Sequence, residues 1–192
     1  MLSVSLTALG CASARLPKPE VQETARATSD YSARLSVAFA GPRGRARATV
    51  LAAFARPDSL RVELPGPGGA RLVVVAAGGK LTAVFPSERA VFEGSCTTQD
   101  VEAVLGVALT PGEIMDLLVG APGGRILDAR VTWGDHFPRR VSGRLADGTT
   151  LVVKMQGVET PSAFPPAAFL PPPHPGYRAI DADEARDMWV RR

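Results

Sequence analysis

The sequence has few histidines and cysteines, and this scarcity limits the chemistry that it can support. Its 192 residues include two histidines, His136 and His174, and two cysteines, Cys11 and Cys96. The histidines lie in a predicted turn and in a proline-rich stretch, so we do not expect them to act together as metal ligands or as an acid–base pair. A Gly-x-Ser-x-Gly elbow and a phosphate-binding glycine loop are both missing. We therefore expect no enzyme, no metal site and no other cofactor.

The sequence also lacks a long apolar run and a strong excess of one charge. No continuous apolar stretch reaches about 18 residues, the length that a membrane-spanning helix needs. The 22 Lys and Arg exceed the 19 Asp and Glu by three, which is a weak signal for binding nucleic acid. Hydrophobic residues make up 45% of the chain, enough for one domain with a sizeable core.

Glycine and proline, by contrast, are abundant, with 19 and 17 copies. Both interrupt helices and suit short strands that are joined by turns. Apolar and polar residues alternate with the period of strands that bury one face. This pattern predicts an antiparallel meander of six strands at residues 31–39, 45–54, 59–64, 70–76, 81–85 and 90–93. Three further strands are predicted at residues 125–133, 139–145 and 150–156, for a total of about nine.

Two short amphipathic helices are predicted between the sixth and seventh strands. Thr98 can cap the first of them, and the segment Thr110-Pro-Gly-Glu113 is a capping box that starts the second. A weaker helical pattern covers residues 20–28. The residues thus predict a mainly β fold with short helices, in the α+β class, in which helices are available to cover one face of a curled sheet.

The inward side chains of these elements form one continuous apolar face, and two structures are possible for it. If the helices close the curled sheet incompletely, the interior is a cavity that binds a hydrophobic ligand. Otherwise the same side chains fill a packed core. The residues leave both alternatives open. The candidate ligand-binding residues are Val37, Phe39, Phe54, Leu60, Val62, Leu72, Val74, Phe85, Leu117, Leu118 and Trp133.

The N-terminal segment has the pattern of an export signal. Residues 1–10 are uncharged and mostly apolar, and they end in small residues just before Cys11. The stretch Leu6-Thr-Ala-Leu-Gly-Cys11 resembles a bacterial lipobox, in which a peptidase cuts before a cysteine that carries a diacylglycerol. We expect lipidation of Cys11, with residues 11–29 forming a tether and short helix. The alternative is an unmodified cysteine in an N-terminal extension.

The C-terminal segment is rich in proline. Seven of the 17 prolines fall between residues 161 and 175, a density at which regular hydrogen-bonded structure does not persist. We therefore predict one domain over residues 30–158, followed by a proline-rich arm over residues 159–192. The arm is expected to end in one or two helical turns around Met188 and Trp189.

The order of these features resembles the LolA/LolB-like lipoprotein carriers and receptors of the bacterial envelope. The matching pieces are residues 31–39 as first strand, residues 56–65 leading to a glycine-rich loop, residues 109–122 as covering helix, and the hairpin of residues 137–155. The resemblance implies a half-open antiparallel β-barrel of about nine strands covered by a helical lid. In this family the cavity holds the acyl chains of lipoproteins.

With a lipidated Cys11, the resemblance implies a membrane-anchored receptor for acylated lipoproteins or lipid, with a periplasmic carrier protein as a further partner. Ala12 follows the cysteine in place of the Asp that retains lipoproteins in the inner membrane of enteric bacteria. The expected location is therefore the periplasmic face of the outer membrane. The alternative is an envelope scaffold lipoprotein of the same fold, with a packed interior and no ligand.

Overall fold

The computed structural model describes residues 19–42 and 44–190. Cys11, with the predicted signal and lipid anchor, lies outside the described residues, as does Arg43. Within the described part of the chain, ten strands form one open, mostly antiparallel sheet, accompanied by four short α-helices. The predicted fold class, mainly β with short helices and a sheet that does not close, is confirmed.

The elements follow the chain in the predicted order. A first helix is α1 (Pro19–Arg26). The meander consists of β1 (Asp30–Gly41), β2 (Gly44–Ala55), β3 (Ser59–Gly66), β4 (Gly69–Ala77), β5 (Lys80–Phe85) and β6 (Ala90–Ser95). Then come α2 (Thr98–Leu105), α3 (Pro111–Leu118), β7 (Leu127–Trp133), β8 (Pro138–Arg144) and β9 (Thr150–Glu159). The last elements are a 3₁₀ helix (Pro166–Phe169), β10 (Arg178–Ile180) and α4 (Ala182–Val190).

The strand order places β9, a late strand of the chain, beside the first strand, β1. The strands are arranged as β10-β6-β5-β4-β3-β2-β1-β9-β8-β7. β9 pairs antiparallel with β1, so that Val153 lies opposite Val37. The concave face is therefore built from both halves of the chain, and α2 and α3 contribute side chains to the core on it. Tyr31 and Phe54 stack in this core with ring centroids 5.0 Å apart.

The two helices that cover the sheet begin at capping residues. The predicted capping box of α3 is confirmed: the Glu113 amide donates to Thr110 Oγ1 at 3.2 Å, and the Thr110 amide donates to the Glu113 carboxylate at 2.8 Å. The cap of α2 is Thr97, whose side chain accepts from the Asp100 amide, and the prediction of Thr98 was wrong by one residue. Glycine at position 106 ends α2 with a φ of 71°.

The predicted glycine-rich loop at residues 65–69 is a tight turn. Pro65 and Gly66 belong to β3, and Gly66 pairs with Gly69 of β4. Pro67 and Gly68 alone connect the strands, and Gly68 has a φ of 79°. A type II turn needs a residue with positive φ at its third position and favours proline before it, so Pro67 and Gly68 suit a two-residue connection.

The segment after β9 crosses the convex face of the sheet, and we call residues 160–181 the C-terminal strap. The stretch with seven prolines holds only the 3₁₀ helix, which packs over β3 and β4. Beyond it, β10 adds a parallel strand to β6, with Ile180 opposite Phe92. This tenth strand was not predicted from the sequence. The predicted helical end is confirmed as α4, which packs on α2. Among the described residues, no helix combines the length and apolar character needed to span a membrane.

Candidate functional site

An apolar cavity lies between the concave face of the sheet and the two covering helices. Strands β1, β2, β3 and β9 supply its floor and walls, while α2, α3 and the segment between them form its roof. Every one of the fifteen side chains that line it is apolar: Leu35, Val37, Phe39, Ala48, Val50, Ala52, Val62, Leu105, Val107, Leu109, Ile114, Leu117, Leu118, Leu151 and Val153. The lining therefore offers a hydrocarbon chain contacts and offers no hydrogen bond to a polar ligand.

The cavity is small and open at one end. The centre of a water-sized molecule has about 90 Å³ of space inside it. The residues at the mouth are only half-buried, and they include Val37, Phe39, Ala48 and Ile114. A ligand bound here could thus place its chain inside and leave a polar end in water.

Small side chains on neighbouring strands leave the space that becomes the cavity. Ala48 lies opposite Val37, and Ala52 lies opposite Ala33. A larger side chain at position 48 or 52 would extend into the hollow, because both alanines line it. The next inward position on β2 carries Phe54, which is fully buried in the core and does not line the hollow.

Five of the eleven candidate residues from the sequence line the cavity: Val37, Phe39, Val62, Leu117 and Leu118. Five others are buried in the core away from it, namely Phe54, Leu60, Leu72, Val74 and Phe85. Trp133 is half-buried on β7, where its ring lies against Gly120. These six residues do not line the hollow.

The other ten lining residues were not among the candidates from the sequence: Leu35, Ala48, Val50, Ala52, Leu105, Val107, Leu109, Ile114, Leu151 and Val153. Several of them could have been recognised as inward-facing from the alternation along their strands. Leu35 alternates in phase with Val37 on β1, and Leu151 and Val153 alternate on β9. Their location depends on the pairing of β9 with β1, which joins strands far apart in the sequence.

An ion pair ties the covering helix α3 to the sheet. Arg56, which follows β2, donates from a terminal guanidinium nitrogen to Asp116 Oδ1 at 2.7 Å. Both side chains are partly exposed, at 30% and 44%, so water screens their attraction. On the same helix, Glu113 lies 2.9 Å from the Arg125 guanidinium. The helix is thus held by its buried apolar face and by two polar contacts at its rim.

Reactive groups lie outside the cavity. His136 lies in the turn between β7 and β8, and His174 lies in the C-terminal strap, where its Nδ1 is 2.9 Å from the Pro172 carbonyl oxygen. Burial, with smaller contributions from Asp58 and Asp100, raises the pKa of the free, half-buried Cys96 thiol. Within the described ranges, no group of three or more His, Cys, Asp or Glu side chains is placed to hold a metal ion.

Comparisons with known proteins gave structural likenesses only. No protein-family model matches the chain, and no curated protein matches its sequence. An uncharacterized conserved protein from Thermus thermophilus is similar at 10% identity and a TM-score of 0.46, with 84% of this chain and 96% of that chain covered. A LolA superfamily protein from Nitrosomonas europaea is similar at 12% identity and a TM-score of 0.43, with 82% and 99% covered.

A third solved structure, from Vibrio parahaemolyticus, is described as an outer membrane lipoprotein-sorting protein domain. It is 6% identical, with a TM-score of 0.43, and the match covers 78% of this chain and 94% of that chain. These likenesses concern the fold, and the cavity and its lining are observations on this chain itself.

Proposed function

We propose that the protein binds an acyl chain of a lipoprotein or lipid in the cavity beneath α3. The observation that carries this proposal is the lining, because all fifteen of its side chains are apolar. Transfer of hydrocarbon from water into such a site contributes about 0.8 kcal/mol for each buried CH₂ group. The absence of any acid, base or nucleophile from this lining supports binding rather than catalysis.

The proposal includes a setting in the bacterial envelope. The lipobox-like segment before Cys11 supports attachment to the periplasmic face of the outer membrane through acyl chains on that cysteine. An anchored protein with an acyl-binding cavity would accept lipoproteins or lipids from a periplasmic carrier protein and help to localise them. The partners that follow are the acylated ligand, the membrane and that carrier.

The cavity is tested by changing its volume. Ala52 lines the cavity, whereas its neighbour Ala53 faces the opposite, convex side of the sheet because successive side chains of a strand alternate. In the full chain, we expect Ala52→Phe to weaken binding of a fluorescent fatty acid by roughly tenfold, since losing about two buried CH₂ groups corresponds to that factor. Ala53→Phe adds the same ring on the other face and is expected to leave binding unchanged.

Ala83→Phe distinguishes a hollow from a packed interior. Ala83 is fully buried and does not line the cavity, so a ring there overfills the core and costs about 1–3 kcal/mol of stability. Ala52→Phe, by contrast, is expected to fold with a nearly unchanged melting temperature. If the parent binds no fatty acid and both variants lose stability equally, the acyl-binding proposal fails and a scaffold with a packed interior replaces it.

The anchor is tested separately, by replacing Cys11 with serine. Loss of the acyl chains removes the main membrane affinity, so Cys11→Ser is expected to move the protein from the membrane fraction to the soluble periplasmic fraction. Mass spectrometry of the parent should show the added lipid. An unmodified parent mass, with the same membrane fractionation for both proteins, would contradict the anchor while leaving the cavity untouched.

A further inference from the structure

A cleft opens in the sheet beside the mouth of the cavity. Strands β2 and β3 pair only from Leu51 opposite Glu63 to Ala55 opposite Ser59. The earlier part of β2, Gly44 to Val50, pairs with β1 on one side and has no strand partner on the side of β3. Pro65 contributes to this separation, because it lacks the amide hydrogen that a continued ladder would need.

The cleft adjoins the acyl-binding cavity. Ala48 lines both spaces, and Leu64, on the inward face of β3, packs against the core at the edge of the cleft. The space in the cleft is wide, with about 500 Å³ open to the centre of a water-sized molecule. Ala48 faces inward, whereas Arg47 and Thr49 alternate with it and lie on the outward face. The polar end of a chain bound in the cavity would therefore reach the charged residues of the cleft through the gap between β2 and β3.

Three arginines and no carboxylate line the cleft. They are Arg34 of β1, Arg47 of β2 and Arg71 of β4, with the Thr49 hydroxyl as a further hydrogen-bond donor. Arg71 reaches this position because Gly66 has no side chain: a Cβ there would lie 2.1 Å from Arg71 Cγ. The backbone of β3 thus leaves room for the stem of a cationic side chain on the wall of the cleft.

These three guanidinium groups have no acidic partner among the described residues, unlike many arginines of this protein. Arg56, Arg61, Arg125, Arg144, Arg178 and Arg186 each lie within 4.0 Å of a carboxylate. The carboxylate on the outward face of β3, Glu63, is already bound by Arg61 at 2.6 Å. The charge at the cleft is therefore available to a ligand from outside the chain.

We propose that the cleft binds the anionic head group of an acyl lipid, a phosphate or carboxylate, whose chain occupies the cavity; this rests on the function proposed above. Guanidinium groups bind phosphate and carboxylate through paired, charge-assisted hydrogen bonds. The preferred ligands are then fatty acids and phosphate-bearing lipids. A neutral acylglycerol would bind only through the contacts of its chain with the cavity.

The inference is tested with ligands that share one chain and differ in head group. The protein is the full chain with Cys11→Ser, and the ligands are palmitoyl lysophosphatidate, palmitate and neutral monopalmitoylglycerol, each displacing a fluorescent fatty acid. We expect lysophosphatidate and palmitate to bind roughly three- to tenfold more tightly than the neutral lipid, the range for one or two partly exposed ion pairs. The preference should shrink as salt is added.

Arginine variants test whether the cleft causes the preference for anionic lipids. The double variant Arg47→Ala/Arg71→Ala is expected to abolish the preference and to leave affinity for monopalmitoylglycerol unchanged. Arg130→Ala/Arg140→Ala removes the same charge from two exposed positions on the convex face of β7 and β8 and is the matched control. All four side chains are partly or fully exposed, so both double variants should keep the parent melting temperature.

The outcomes separate this inference from the function on which it rests. Equal affinity of the parent for the anionic and neutral lipids would overturn the head-group site and leave the cavity standing. A preference that survives in Arg47→Ala/Arg71→Ala, or that falls equally in the control, would also overturn it. Displacement of lysophosphatidate by inorganic phosphate at equal concentration would indicate a site for free phosphate instead of lipid. Binding of none of the lipids would refute the acyl-binding function itself.

Discussion

At the scale of single residues, Tyr31 carries a polar group that the core does not use. Its side chain is fully buried, it stacks on Phe54, and its hydroxyl has no hydrogen-bond partner among the described residues. Burial also raises the pKa of this phenol. A buried hydroxyl without a partner keeps its desolvation penalty, which is about 1–3 kcal/mol.

We therefore expect Tyr31→Phe to leave the free energy of unfolding unchanged or to raise it by about 1 kcal/mol, measured by urea denaturation. The ring and its stacking on Phe54 remain in this variant. Tyr31→Ala removes the ring as well and should cost about 3–5 kcal/mol. A loss above about 1 kcal/mol in Tyr31→Phe would show that the hydroxyl is bound in solution.

Cys96 gives a second test at this scale. Burial is the main reason that its pKa is raised, and the carboxylates of Asp58 and Asp100 add to the shift. Because the thiolate is the reactive form, iodoacetamide should alkylate Cys96 more slowly than a free cysteine at mildly alkaline pH, in the full chain with Cys11→Ser. Asp100→Asn removes one of the two negative charges and should speed the reaction modestly. Alkylation as fast as that of free cysteine would contradict the shift.

Individual residues were predictable where their role is local. The capping box of Thr110 and Glu113 depends on four consecutive residues, and the sequence shows all of them. Ala48 and Ala52 are different, because their contribution is the volume that they leave empty. Ala83 is also an alanine on an inward strand position, but it is fully buried and does not line the hollow. Only the packing across strands and helices distinguishes them.

At the scale of elements, the Arg56–Asp116 pair connects the covering helix α3 to the end of β2. We expect a double-mutant cycle with Arg56→Ala and Asp116→Asn to give a coupling of about 0.2–1 kcal/mol, as for other partly exposed pairs. Loosening the helix should also speed dissociation of a bound fluorescent fatty acid, measured by stopped flow. The exposed Asp128–Arg144 pair, also 2.7 Å long, joins β7 and β8.

Asp128→Asn is the matched control for the helix. It removes a similar ion pair away from α3 and should leave the dissociation rate unchanged. If Asp116→Asn and Asp128→Asn behave alike, the Arg56–Asp116 contact does not hold the helix over the cavity.

The C-terminal strap covers an apolar patch on the convex face of the sheet. Four valines outside the main core cluster are almost fully buried there: Val73, Val75, Val84 and Val91. Arg61 helps to hold the strap, because its guanidinium donates to the carbonyl oxygens of Ala168 and Leu170 at 3.1 and 3.0 Å. A chain ending at residue 159 should therefore melt at a lower temperature and bind a hydrophobic dye that a fatty acid does not displace.

Unchanged melting and no dye binding in that shortened chain would show that the strap does not protect this face. The sequence carries a signal for this cover, which was not predicted. The run from Leu72 to Ala76 is apolar at every position, which is typical of a strand with both faces buried. Period-two alternation, as on β1, indicates a strand with one buried face.

At the scale of the whole molecule, the nine strands of the half-barrel and the helices were predictable because their patterns are local. Alternation with period two marks most of these strands, and turns such as Asp147-Gly148 separate neighbours. β10 was missed because it has three residues with one buried side chain and pairs in parallel with a strand far away in the sequence. The sequence left the cavity as one of two alternatives, because a curled apolar face can enclose either an empty space or packed side chains.

The central claim is that an acyl chain lies inside this hollow. The most direct measurement is photo-crosslinking of a palmitate that carries a diazirine at the end of its chain, followed by mass spectrometry of the crosslinked peptides of the full chain with Cys11→Ser. The account predicts crosslinks to cavity residues such as Val50, Val62 and Leu118, and their loss in Ala52→Phe but not in Ala53→Phe. Crosslinks to the convex face, or a pattern that Ala52→Phe does not change, would contradict it.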